Sequence, residues 1–444
     1  MNPYLGYEIA LLAVALYAAV VYVLWRRGYI GPDRPLSFLG PALMIRTKRG
    51  RSALDRWGRF VRFWTVTSDL GIVLAIVAMG VILALLLFGA VASLGVPSSQ
   101  APSPATALGI PGINPIIPLG YGLVALVIGI VLHELSHGVV ARSQKIGVKS
   151  LGILWCVIPV GAFVEQDDTE MLAAPRRHRD RVAAAGVLAN FLLTLVFFVA
   201  LSAVIASSVQ PAATGVGVAY VESNTPAANA SIAAGDIIIA VNGTNTSSVS
   251  AFESALEATH PNMTYEVVYR STSGAIVHAN ITLAKSPTVA TRGFLGVAVD
   301  SLTPAQIKQT LVWPFASSYG PLAGAVYWLV LPLAALEPVG GSTTHYFVLS
   351  GPLAGLGTGN FWIVANLLYW LAWMNLLLGL SNALPLVPLD GGLLFRDFMA
   401  SIAARWRKAW SSERLDAFGA RAVAVSSMVV LVLLVWQFVV PRLH

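Results

Sequence analysis

The sequence predicts an α-helical polytopic membrane protein of about six transmembrane helices, with a short membrane-embedded β segment and an inserted external β-rich domain. Three observations predict it. Of 444 residues, 56% are hydrophobic and only 11% charged, with a mean hydropathy of +0.73, whereas soluble domains carry about 25% charged residues. The apolar residues gather in runs close to the ~20 residues that cross a bilayer as a helix. Residues 209–290 break this pattern, alternating with period two and holding no Lys or Arg before Arg270.

The net charge of +7 would suit a nucleic-acid partner if it formed one patch. It does not. Of 28 Lys and Arg, ten lie in residues 26–62, seven in 142–181 and six in 396–421. All three groups flank apolar runs, which is the positive-inside pattern. They are expected to be cytoplasmic topology anchors, with no nucleic acid involved. The single cysteine, Cys156, excludes an internal disulfide and a zinc site built from cysteines.

The N-terminal region, 1–117, is expected to hold two spans and a basic cytoplasmic stretch, 26–66. The first run, about Ile9 to Leu24, has its basic residues after it, at Arg26 and Arg27. It therefore reads as an uncleaved anchor with its N-terminus outside. The basic stretch interleaves Trp57, Phe60, Phe63 and Trp64, which suits an amphipathic segment on the inner membrane surface. Span two runs from about Leu70 to Leu94. Residues 118–208 carry spans three and four. Between these spans, residues 150–164 are apolar but broken by glycine and proline, predicting a strand pair that faces protein or a wet cavity.

The β-rich domain, 209–290, contains all five N-x-S/T sequons, at Asn229, Asn242, Asn245, Asn262 and Asn280, which fits an external location. Residues 291–360 follow as an outer-side linker. Within them 312–340 is short and proline-broken, and topological parity makes it a re-entrant or interfacial element. Span five occupies 361–395. Residues 396–444 supply a basic loop and a last span that returns the C-terminus outside.

The chemistry sits in span three. His133-Glu134-Leu135-Ser136-His137 places two imidazoles one helical turn apart, on one face, where they can grip one metal ion. Glu134 is placed to take a proton from a metal-activated water. The preceding residues, Leu119 to Leu132, contain no charge, and an ionisable cluster in such a run is a functional site by default. The alternative is that the histidines are merely satisfied inside a bundle. A catalytic zinc usually has three protein ligands, so a third should come from another inner helix end. Asn190 lies about 13 Å from the inner end of span four, as deep as His133 in span three. Asp390 follows Pro385 and Pro388, which must break span five. A carboxylate on a broken helix at membrane depth implies a cavity, although a plain turn aspartate is the competing reading.

His133 to His137, Gly186-Val187-Leu188-Ala189-Asn190, and Asn382 through Gly392 together resemble the three ordered motifs of the site-2 proteases: HExxH, GxxxN and NxxPxxxLDG. The resemblance implies an intramembrane zinc endopeptidase. One Zn2+ would be held by His133, His137 and Asp390, with Glu134 as general base and later general acid. Asn190 and Asn382 would hold the substrate backbone or the oxyanion. It further implies a single-span membrane protein substrate, already shortened by another protease, and the second cut of regulated intramembrane proteolysis. The expected setting is a prokaryotic plasma membrane with the active site toward the cytoplasm.

Thr225-Pro226-Ala227-Ala228 and Gly235 to Gly243 resemble a protease-associated PDZ domain. Such a domain would take an extended peptide or a free C-terminus along a strand edge, with a carboxylate loop near Gly215 to Val218. Otherwise it only restricts access. Two rival functions are considered. A metal transporter needs polar groups through the whole membrane, yet the outer halves of spans three, four and five carry no Asp, Glu, His, Lys or Arg. A prenyl-protein-type membrane zinc protease takes a downstream Glu, and none occurs between Glu337 and Glu413.

Overall fold

The computed structural model describes residues 5–31, 34–316, 320–334 and 339–443. The chain opens with helix α1 (Leu5–Arg26), strands β1 (Leu36–Leu39) and β2 (Ala42–Thr47), and helices α2 (Arg51–Gly58), α3 (Val61–Ala92) and α4 (Leu119–Ser143). Strands β3 (Val148–Cys156) and β4 (Ile158–Gln166) and helices α5 (Asp168–Ala173) and α6 (Arg176–Ser208) follow. Next come β5 (Val209–Pro211), β6 (Val216–Val221), α7 (Pro226–Asn229), β7 (Ile237–Val241), β8 (Thr244–Asn245) and α8 (Val249–Glu257). Then follow β9 (Thr264–Arg270), β10 (Ile276–Thr282), β11 (Ala284–Lys285), β12 (Gly293–Phe294) and β13 (Val297–Val299). Helices α9 (Pro304–Val312) and α10 (Pro321–Ala334), strand β14 (Phe347–Leu349), and helices α11 (Thr358–Asn382), α12 (Asp390–Trp406) and α13 (Ser412–Val439) complete the order.

Among the described residues, five helices are long and apolar enough to cross a membrane: α3, α4, α6, α11 and α13. The protein is a polytopic helical membrane protein. The sixth expected span falls on α1, whose apolar stretch Leu11–Arg26 is shorter. Helix α10 has 14 residues, about 21 Å at 1.5 Å per residue, which is well short of a bilayer core.

Contacts divide the chain into two compact units, Met1–Leu195 with Leu371–His444, and Val196–Trp370. In the first, α3 and α6 cross at small residues. Gly71 lies where a Cβ would be 3.2 Å from Leu188, and Ala75, Ala78, Ala183 and Ala184 form a buried cluster beside them. Small residues let helices approach where apolar burial alone offers no drive between them. Helix α2 crosses α4 at Gly58 and Gly138; at the latter a Cβ would come within 2.9 Å of Leu54.

Strands β1 to β4 form a four-stranded antiparallel meander in that order. The expected strand pair at 150–164 is thus present, but it is half of a larger sheet. The basic stretch supplies the other half, since Ala42–Thr47 pairs with β3. That stretch is therefore not simply an amphipathic surface segment; its run Ala42 to Ile45 is short and is followed at once by Arg46 and Lys48, so it does not stand out as a strand. Likewise the expected basic loop 396–421 is mostly helical, in α12 and the first turns of α13.

Some of these basic residues pair across the bundle. Arg176 pairs with Asp416 at 2.8 Å, Arg177 and Arg181 with Asp69 at 2.9 and 2.8 Å, and Arg179 with Asp397 at 3.0 Å. The first turns of α6 are thereby tied to α13, α3 and α12.

In the second unit a sheet runs β10-β9-β7-β6-β13, with β8 paired to β7. Val216, Val218, Ile238, Val241, Val267 and Leu295 fill its core under Phe252 of α8. The alternation read from sequence marks β6, β7 and β9 correctly, but the sheet runs past residue 290 to β13. This overturns the expected carboxylate loop at 215–218. Val216 and Val218 are fully buried inside β6, which is paired to β7 and β13, and Tyr346 packs against Gly217. Among the described residues, β10 and β13 end the main strand order and β8 pairs with β7 alone. All five sequon asparagines are exposed; Asn242 and Asn262 also adopt positive φ, a turn conformation asparagine tolerates.

Candidate metal centre

Helix α4 carries His133 and His137 into the first unit's interior, each 6% exposed. Their Nε2 atoms lie 3.1 Å apart. The break between α11 and α12 brings in the third group. Asp390 opens α12, and its Oδ2 lies 3.2 Å from His133 Nε2 and 3.3 Å from His137 Nε2. The two glycines after it make this possible: a Cβ on Gly391 would fall 2.2 Å from the Ala383 carbonyl oxygen, and one on Gly392 2.7 Å from that of Leu386. Among the described residues this is the one His, Cys, Asp and Glu group able to hold a metal ion.

Hydrogen bonding fixes what these atoms offer. His137 Nδ1 lies 2.7 Å from the Val182 carbonyl oxygen, so Nδ1–H donates there and Nε2 presents a lone pair. Asn190 Nδ2 sits 3.0 Å from His133 Nδ1, while Asn190 Oδ1 is buried without a partner. Turning that amide over lets His133 Nδ1–H donate to Oδ1, with Nδ2 taking the other position. His133 Nε2 then also faces inward as an acceptor. Asp390 Oδ2 is itself buried with no hydrogen-bond donor. Three lone-pair atoms facing one point repel each other unless a cation lies between them. Ligands at about 2.0–2.2 Å around a tetrahedral zinc are ~3.4 Å apart, which the observed 3.1–3.3 Å triangle fits.

Two further residues complete the surroundings. Gly186 on α6 has no room for a side chain: a Cβ would lie 2.4 Å from His133 Cε1 and 2.5 Å from the Nε2 of either histidine. The GxxxN motif thus supplies both a bare backbone and, one turn later, the His133 partner. Glu134 Oε2 accepts from the Val164 N–H at 3.1 Å, so β4 orients this carboxylate. Its other oxygen has no partner among the described residues.

Five of the six expected site residues are accounted for at the centre: His133, His137 and Asp390 converge, Glu134 flanks them and Asn190 backs His133. Asn382 is placed differently. Its Nδ2 donates to the Leu378 carbonyl of its own helix at 3.1 Å. Val182 and Val164 act through backbone atoms, which sequence motifs do not reveal.

An HExxH helix completed by a carboxylate, set among apolar helices, defines a membrane metalloprotease. The profile of Peptidase family M50 matches residues 121–430, and the chain belongs to that family. It is 26% identical over 349 residues to an uncharacterized protein of Methanocaldococcus jannaschii, covering 78% of this chain and 75% of that one. It is 24% identical to Metalloprotease MmpA of Caulobacter vibrioides, over 64% of this chain and 86% of the relative. It is also 42% identical over 87 residues to Rip3 of Mycobacterium tuberculosis, which has zinc metalloprotease in its name; that match covers 20% of each.

Proposed function

We propose that the protein is an intramembrane zinc endopeptidase that cuts a peptide bond within or near a transmembrane segment of a single-span substrate. The observation that carries the reading is the convergence of His133, His137 and Asp390 between apolar helices. When bound there, a single zinc ion supplies Lewis acidity toward water and toward a peptide carbonyl. Glu134 takes the proton from the attacking water on its free oxygen and returns it to the leaving amine. The Val164 N–H bond holds that carboxylate in place through the cycle. Asn190 acts as a positioning residue, keeping His133 in the tautomer that faces the metal.

A transmembrane helix hides its carbonyls in its own hydrogen bonds and must unwind to be cut. Strand β4 is the outermost strand beside the centre, and edge pairing with it replaces the backbone bonds that unwinding breaks. The charge distribution supports a cytoplasmic active site, α1 as a sixth span, and the β domain, N-terminus and C-terminus outside; the prokaryotic sources of the relatives support a prokaryotic plasma membrane. The β domain, as a PDZ-like module, takes a peptide or free C-terminus at the β13 edge. The role is the second cut of regulated proteolysis, after another protease trims the substrate. The test is cleavage of a model single-span protein in detergent by wild type and by Glu134→Gln, with and without a zinc chelator. Loss in both treated samples is expected, and undiminished cleavage by Glu134→Gln would overturn the mechanism.

A further inference from the structure

Beside the centre, on another face of α4, lies a groove that the proteolytic reading does not use. Its volume is about 780 Å³, and Leu54, Trp57, Phe60, Trp64, Leu135 and Val139 are among its walls. Its floor belongs to the helix that holds the metal ligands. Two polar groups of the lining are spent locally: Ser136 Oγ donates to the His133 carbonyl at 2.6 Å, and Trp64 Nε1 to that of Trp57 at 2.9 Å. The volume lies in the range of small-molecule pockets, about 300–1,000 Å³.

Charge says what fits it. The segments that wall the groove also carry Arg49, Arg51, Arg56, Arg59 and Arg62, and among the described residues none of these pairs with a carboxylate. The contrast with α6 is sharp, because Arg176, Arg177, Arg179 and Arg181 all do. The Arg59 guanidinium carbon lies 5.1 Å from the ring centre of Phe60, a residue of the wall. An apolar trough with unneutralised guanidinium groups on its wall elements complements one chemistry: a hydrocarbon tail joined to a phosphate.

We propose that this groove binds an anionic phospholipid, one acyl chain lying against α4 and the headgroup held by Arg56, Arg59 and Arg62. The inference rests on the membrane reading of α3 and α4 and not on catalysis, so it is testable on the inactive Glu134→Gln protein. That full-length protein is placed in phosphatidylcholine nanodiscs containing a minor fraction of phosphatidylglycerol with brominated acyl chains, or equally brominated phosphatidylcholine. The readout is quenching of Trp57 and Trp64, isolated by difference from a Trp57→Phe/Trp64→Phe variant.

Arginines near a membrane surface attract anionic headgroups, so the anionic lipid should quench at least about threefold more strongly at equal mole fraction. Replacing Arg56, Arg59 and Arg62 by Gln should abolish the excess, and replacing them by Lys should keep it. Equal quenching by both lipids would reduce the groove to ordinary bilayer contact and overturn the proposal. Loss in the Lys variant as well would mark a structural effect and overturn it too. Displacement of both lipids alike by a single-span helical peptide would assign the groove to substrate instead.

Discussion

Gly186→Ala is the sharpest mutational probe of the centre. Carbon atoms pack at about 3.5–4.0 Å. The new methyl would lie 2.4 Å from His133 Cε1 and 2.5 Å from the Nε2 atoms of both histidines. It is therefore about 1 Å too close on the very side where the lone pairs meet. Either α6 retreats by roughly that distance or the imidazoles turn away, and a 1 Å misplacement costs on the order of 100-fold in rate. The methyl itself meets none of the α3–α6 seam around Gly71 and Leu188, so any fall in unfolding temperature should be that of the lost zinc, and equal to that of the zinc-stripped wild type. The assay pairs zinc content after dialysis with cleavage at saturating zinc. Loss of bound zinc and a rate fall of about 100-fold are expected. Full zinc content with a rate within about twofold of wild type would refute the steric argument.

Asn190→Leu should weaken zinc binding by about 10–100-fold, because it removes the partner that fixes the His133 tautomer; competition with a chelator measures it. Asp397 is buried between Arg179 at 3.0 Å and Arg396 at 2.9 Å. Asp397→Ala should cost about 3–5 kcal/mol of stability by leaving those arginines uncompensated, seen as a lower unfolding temperature with zinc content unchanged in the folded fraction. In the β domain, burial holds the Asp300 carboxyl above the ordinary aspartate range, against the Tyr346 hydroxyl that donates to it at 2.5 Å. The folded state then binds this proton more tightly than the unfolded chain. Stability present at low pH is lost as pH rises from about 4 through the raised value. Asp300→Asn should flatten that slope in thermal unfolding scans.

What could be read from the chain and what could not follow from the range of each signal. The five long helices and His133, Glu134 and His137 are local, carried by runs or spacings within one helix, and they stood out at once. Asp390 was legible as a candidate because prolines and glycines mark a break at membrane depth, but a turn aspartate fits the same break, and the motif resemblance supplied its ligand role. Backbone partners were not legible: Val182 and Val164 use carbonyl and N–H groups that every residue has. Nor was the union of residues 42–47 with 148–156 in one sheet, since the partners lie far apart in the chain and a cross-strand pairing leaves no local pattern. The arginines of α6 looked like topology anchors because Asp69, Asp397 and Asp416 are scattered far along the chain. Strand β13 escaped because three residues set no periodicity, and its absence misplaced the expected peptide loop. Asn382 had only motif resemblance behind it, and its amide turns to its own helix.

The central claim is that three side chains from two separated motifs hold one catalytic zinc. It is tested most directly by the zinc content of purified wild type, Glu134→Gln and Asp390→Ala proteins. The account predicts about one zinc per chain in the first two and loss in the third, since Asp390 is a ligand and Glu134 is not. Full zinc in Asp390→Ala, or loss of it in Glu134→Gln, would contradict it.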